Sequence, residues 1–122
     1  MTTRQDVHEL LTVFKLTIEF KRCHFKDRER TEQDLINLNL TQLQAMEAIC
    51  ELTPDNYSKG PEPDDTDLSK NIWVFGYDHE GIEVYVKLRL NPTPAQQIPR
   101  GIIWSFHQAE HPMSYPLRKG GA

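Results

Sequence analysis

Between residues 82 and 90 apolar and polar side chains alternate without a break. Ile82, Val84, Val86, Leu88 and Leu90 form one set, and Glu83, Tyr85, Lys87 and Arg89 form the other. On a β-strand the second set puts a phenol, an ammonium and a guanidinium in a row on one face, each about 6.6–7 Å from the next. A further strand-like run, Gly101–His107, offers two inward sets, Ile102/Trp104/Phe106 or Ile103/Ser105/His107. If the aromatic set is buried, Ser105 and His107 share the face of Tyr85 and Lys87, and antiparallel pairing lets His107 approach them. Such a patch suits the cleavage of RNA by its own 2′-hydroxyl. That reaction needs a base for the hydroxyl, an acid for the leaving 5′-oxygen and cations for the charge gathering on phosphorus. Histidine titrates near neutrality and serves as base or acid. Lysine and arginine hold phosphate, arginine bidentately. Tyrosine stacks on a base or passes a proton, and no metal is required.

Each of these residues alone has a plainer explanation. Alternating charge on an exposed strand keeps sheet edges from pairing with other chains, a lone tyrosine is ordinarily half-buried packing, and a histidine at a strand end is ordinarily a surface group. Their coincidence on one face is what carries weight. Other chemistries find less support. Cys23, His24, Cys50, His79, His107 and His111 lack metal-ligand spacing; His107 and His111 are four apart, but in an approach to Pro112 that does not favour a helix. No phosphate-binding glycine loop or nucleophile elbow is present. The acidic group Glu62, Asp64, Asp65 and Asp67 lacks the glycine and terminal glutamate of a calcium loop. Cys23 and Cys50 read as small core residues rather than nucleophiles.

The elements that must position the patch are readable from periodicity. Val7, Leu10, Leu11, Phe14 and Ile18 form one stripe of an amphipathic helix over residues 3–21. Cys23–Lys26 reads as a short strand or extended connector. Thr31 with Asp34 resembles a capping box opening a short helix through Leu35, Ile36 and Leu38. Thr41 with Gln44 opens another, carrying Leu43, Met46, Ile49 and Leu52, and Thr53-Pro54-Asp55 starts a further turn. Residues 58–71 are rich in turn formers and acids and read as a surface loop. Beyond them the period changes to two: Ile72–Tyr77, Ile82–Leu90 and Gly101–His107 are expected strands, with Asp78–Gly81 a hairpin turn and 91–100 a longer connection. Helices first and strands afterwards predict an α+β fold, N-terminal helices packed on a small antiparallel sheet.

The chain has 122 residues, 38% hydrophobic and 26% charged, which predicts a single globular domain. No apolar run is long enough to span a bilayer, and residues 1–6 lack the apolar core of a secretory signal, so a cytoplasmic protein with no membrane partner is expected. Two cysteines do not make a disulfide framework. The net charge of −4 argues against a protein that coats nucleic acid without specificity. The distribution is uneven. Residues 32–85 hold twelve acids and two bases, whereas residues 86–122 hold Lys87, Arg89, Arg100, Arg118 and Lys119 against Glu110 alone.

Four stretches carry a resemblance. They are Leu52-Thr-Pro-Asp-Asn-Tyr-Ser-Lys-Gly-Pro-Glu-Pro-Asp, Ile72-Trp-Val-Phe-Gly, Glu83-Val-Tyr-Val-Lys-Leu and Ile103-Trp-Ser-Phe-His-Gln-Ala-Glu-His-Pro-Met-Ser-Tyr-Pro. In this order the chain resembles the MqsR-like toxins from about residue 25 to residue 116. These are endoribonucleases of bacterial toxin–antitoxin systems, related to the RelE group. The Val-Tyr-Val-Lys and Ser-Phe-His strands are the more specific pieces. The resemblance implies a RelE-like domain over residues 1–116, followed by a flexible tail, 117–122. It also implies a family site, carried here position by position. Lys59 stands at the family's lysine after a short helix, Tyr85 at its strand tyrosine, and Lys87 follows as in the family motif. Val74 occupies a position where the family has glutamine. His107 stands at a terminal-strand lysine, and several RelE-group toxins are similar in placing a histidine there.

The resemblance therefore implies an mRNA endoribonuclease acting without a metal or other cofactor. His107 would serve as general base or acid and Tyr85 as stacking or proton-relay partner, with Lys59 completing the catalytic set. Lys87 and Arg89, with Lys59, would hold RNA phosphate, and Arg118 and Lys119 would add tail contacts. Its partners would be a cognate antitoxin and mRNA, free or on the ribosome. Two alternatives stand beside it: a family member that binds protein or nucleic acid without cleaving, and an interaction protein whose acidic residues 51–67 form the working surface.

Overall fold

The structure, a computed structural model, describes residues 1–64, 67–92 and 97–118. Its elements run α1 (Arg4–Glu19), β1 (Cys23–Phe25), α2 (Arg28–Asn37), α3 (Gln42–Cys50), a single 3-10 turn (Pro54–Asn56), β2 (Tyr57–Asp64), β3 (Asp67–His79), β4 (Ile82–Asn91) and β5 (Arg100–Gln108). The fold is α+β with its helices gathered towards the N-terminus, as the change of period predicts. The sheet has the order β1-β5-β4-β3-β2 and is mixed, because β1 joins β5 in parallel while every other pair is antiparallel. Among the described residues no helix is long and apolar enough to cross a membrane.

Local chemistry sets the helix ends. Thr3 caps α1 in a reciprocal box with Asp6, and Thr41 caps α3 in another with Gln44. The second helix departs from expectation. Asp27 is its cap, accepting from the Arg30 amide, so α2 begins four residues earlier, and Thr31 is buried within it. The buried stripe of the third helix also differs from the predicted one. Ala45, Ile49 and Leu52 face the core, while Leu43 is 68% exposed.

The region expected as a loop, residues 58–71, instead supplies most of β2 and the start of β3. Gly60, Pro61 and Pro63 hide the strand from a periodicity reading, but β2 is the sheet's edge. There a missing N–H and an irregular register are tolerated, and its pairing with β3 shifts between Tyr57, Lys59 and Glu62. Asp65 of the acidic group lies outside the described residues. The β3–β4 hairpin closes with Glu80 and Gly81, both at positive φ (51° and 86°), the conformation that matches the twist of two paired strands.

One face of the sheet is committed to the helices. Val7, Leu11 and Phe14 of α1 meet Leu35, Ile49, Phe75, Val84, Val86, Leu88, Ile103 and Phe106 in a single buried cluster. Burying each of the phenylalanines is worth about 2 kcal/mol, so the register of β4 is strongly specified. The alternate residues of β4, Glu83, Tyr85, Lys87 and Arg89, are thereby forced onto the other face.

A bulge in β5 resolves the choice between its two inward sets. Lys87 pairs with Ser105 but the next residue, Leu88, pairs with Ile103, so Trp104 is the extra residue. Both Ile103 and Phe106 point into the core. Trp104 leaves the aromatic inward set and carries Lys26 over its ring, with the Nζ 3.3 Å from the centroid, and the Arg89 guanidinium at 4.6 Å.

Candidate active site

Two transverse rows on the open face bring the chemistry together. In the first, Lys59 of β2 pairs with Val74 of β3, which pairs with Lys87 of β4, which pairs with Ser105 of β5. Val74 is buried and lies between the two lysines. Since adjacent strands are about 4.8 Å apart, the two lysine backbones are separated by about 10 Å, a span that two flexible ammonium arms can close around one phosphate. In the second row, Gly76 pairs with Tyr85 and Tyr85 pairs with His107. The phenol and imidazole rings of the latter pair stack, with centroids 5.0 Å apart and planes 12° from parallel.

The imidazole is oriented from its other side. Nδ1 of His107 lies 2.7 Å from the Gln108 carbonyl oxygen. A carbonyl can only accept, so Nδ1 carries the proton and Nε2 of the neutral ring holds the lone pair. No hydrogen bond to Nε2 is present among the described residues. Burial raises the Tyr85 pKa above its ordinary value, and the charges of Glu62 and Glu110 add to the effect. Tyr85 is thus a neutral phenol near pH 7 and can donate a hydrogen bond.

These side chains line one cleft of about 500 Å³ with Ser58, Val74 and residues 110–114. His107, Tyr85, Lys59 and Lys87 therefore meet in a single site. Lys59 is exposed and loosely paired with Glu62 at 3.9 Å. Arg89 does not line the cleft; it is buried to 9% exposure beside it, against Trp104. Arg118 lies over the ring of Tyr115, its guanidinium carbon 4.1 Å from the centroid, and does not line the cleft. Lys119 lies outside the described residues. Among the described residues no three His, Cys, Asp or Glu side chains come together as a metal site.

Residues 110–114 of a strap, 109–118, form one wall of the cleft; from sequence this stretch reads as an approach to Pro112 and the start of a tail at 117. Glu83 holds it. Its backbone carbonyl accepts from the Ala109 amide at 2.8 Å, and its carboxylate accepts from the Met113 amide at 3.0 Å and from the Tyr115 hydroxyl at 2.6 Å. The strap comes close to β3 at Gly76, where a Cβ would sit 2.4 Å from Tyr115 Oη and 2.7 Å from Met113 Sδ. Farther on, the Leu117 carbonyl accepts from Arg4, which also pairs with Asp55 at 2.7 Å. A signal was present in the alternation of β4, since Glu83 shares the face of Tyr85 and Lys87, but its partner is 30 residues away.

Comparison with protein-family models, with curated proteins and with solved structures found no match for this chain.

Proposed function

We propose that the chain is an mRNA endoribonuclease, the toxin of a toxin–antitoxin pair acting in the cytoplasm. One observation carries the reading: a stacked, oriented histidine and two lysines flanking an apolar floor share one cleft. In this mechanism Nε2 of His107 takes the proton of the 2′-hydroxyl, and O2′ attacks the adjacent phosphorus. Lys59 and Lys87 neutralise the non-bridging oxygens, and the Tyr85 phenol donates to one of them or stacks on the flanking base. The P–O5′ bond breaks, leaving a 2′,3′-cyclic phosphate and a 5′-hydroxyl. Arg89 adds positive potential from beside the cleft. The resemblance to the MqsR-like toxins supports the substrate and suggests an antitoxin that covers this face.

The buried Val74 favours a second reading, a module that binds RNA or protein without cleaving, because a polar group is missing where that family has one. Expression from a tightly controlled promoter separates the two. Growth arrest with discrete new 5′ ends in cellular mRNA, both lost in His107→Ala, is the expected result. Arrest with intact mRNA would select the binding module. Soluble, folded protein that causes neither arrest nor cleavage overturns the toxin reading.

A further inference from the structure

Cleavage by an internal hydroxyl proceeds in line. The entering O2′ and leaving O5′ occupy opposite sides of phosphorus, so base and acid must reach it from opposite sides. Tyr85 and His107 are stacked neighbours on the sheet and both approach from the floor. The acid must then come from another element of the cleft. The strap carries His111, which lines the same cleft.

The position of His111 is built rather than incidental. Both its flanks are tied to one residue: the amides of Ala109 and Met113, two positions before and two after it, donate to the carbonyl and carboxylate of Glu83. The following Pro112 restricts the His111 backbone to extended conformations. The Tyr115 hydroxyl adds a second bond to the same carboxylate. The strap thus holds His111 at the cleft. The charged and titratable groups sharing the cleft with it are Lys59 from β2, Tyr85 and Lys87 from β4, His107 from β5 and Glu110 beside it.

We propose that His111 is the general acid of the cleavage, delivering a proton to O5′ as the P–O5′ bond breaks. The inference rests on the endoribonuclease reading and completes it. One proton moves from the 2′-hydroxyl to His107 and another from His111 to the 5′-oxygen. No oxidant or further reactant is needed, and the two imidazoles return to their starting forms by exchange with water. Burial makes Tyr85 a weaker acid than an ordinary phenol, which favours an imidazolium for this step.

The test uses two substrates with purified full-length protein. One is an RNA oligonucleotide containing a mapped cleavage site. The other is the set of four ribonucleoside 3′-(4-nitrophenyl phosphate) esters, whose leaving group departs as a stable anion and needs no proton. His111 is exposed, so His111→Gln is expected to fold, checked by its melting temperature. His111→Gln should lower kcat on RNA by about 10²-fold or more and leave KM within about threefold. It should also cleave the best ester, by attack of its 2′-hydroxyl with departure of nitrophenolate, within about threefold of the wild-type rate. His107→Gln should lose both activities. A His111→Gln protein that cleaves RNA at the wild-type rate, or that loses both substrates equally, overturns the assignment while leaving the nuclease reading intact. Wild-type protein inert towards both substrates overturns the two together.

Discussion

Tyr85 and His107 face one another across β4 and β5, their rings stacked 5.0 Å apart and 12° from parallel. The stack limits rotation of the imidazole, and the bond from Nδ1 to the Gln108 carbonyl sets which nitrogen is left to act. Two independent constraints therefore fix the ring beside the cleft it lines before any substrate arrives. Preorganisation of this kind lowers the cost of reaching the reactive geometry.

That relationship predicts an ordering among variants. Removing the base in His107→Ala should cost about 10²-fold or more in single-turnover RNA cleavage. Tyr85→Phe keeps the stack and loses only the hydroxyl, so it should cost less than Tyr85→Ala, which loses both. Equal losses in the two tyrosine variants would show that the stack does not matter.

The lysines are expected to act through charge. On a His107→Ala background, which prevents turnover, Lys59→Ala and Lys87→Ala should each reduce the slope of log affinity against log salt by about 0.7 for single-stranded RNA. Arg89→Ala should change that slope less, because Arg89 does not line the cleft. Fluorescence anisotropy across a salt series gives all three slopes. A larger change for Arg89 than for Lys87 would place the phosphate path along Trp104 instead.

The strap should be separable from the core. Gly76→Ala puts a methyl group against Tyr115 and Met113, the flexible ends of two side chains, so they shift and the Glu83 bonds weaken. A stability loss of about 1 kcal/mol is expected, together with faster amide exchange at Met113 and unchanged protection in β4. Exchange rising equally in β4 would mean that the strap and sheet open as one unit.

Alkaline titration should destabilise the fold. Burial raises the pKa of Tyr77 to about 12, with the Glu51 charge adding to it, and burial, the Glu83 bond and the Glu83 charge raise that of Tyr115. Tyr85 is raised for its own reasons. In the unfolded chain these phenols ionise near the reference value of 10, while in the folded chain they keep their protons. Their contribution is therefore complete below pH 10 and is lost as pH rises through the folded values. Phenolate absorbance should rise late and together with loss of structure. Early, structure-independent ionisation of Tyr77, Tyr85 and Tyr115 would contradict the burial.

The cysteines should differ in reactivity. Burial pushes the Cys23 thiol up to about 12, against a hydrogen bond with Thr17 that pulls the other way, whereas Cys50 is exposed. At pH 8 a disulfide reagent should modify Cys50 in the native protein and Cys23 only after denaturation. Modification of both at the same rate would require Cys23 to be open.

Strict alternation over residues 82–90 was enough to assign β4 and the face of Tyr85, Lys87 and Arg89, because one buried face forces the other outwards. The capping pair Thr41–Gln44, the α1 stripe and the 80–81 turn were legible for the same reason: each depends on residues within a few positions of one another. Tertiary structure decided what depends on distant partners. β2 forms because β3 offers an edge to Tyr57–Asp64, despite Gly60 and two prolines. The bulge that turns Trp104 away from the core arises from the β4 register, and local periodicity carries no record of it. The strap is held by Glu83, 30 residues from Met113, so its place over the cleft follows from a long-range hydrogen bond. Short-range spacing encodes which face a side chain takes. Which faces meet is settled only when packing closes the chain on itself.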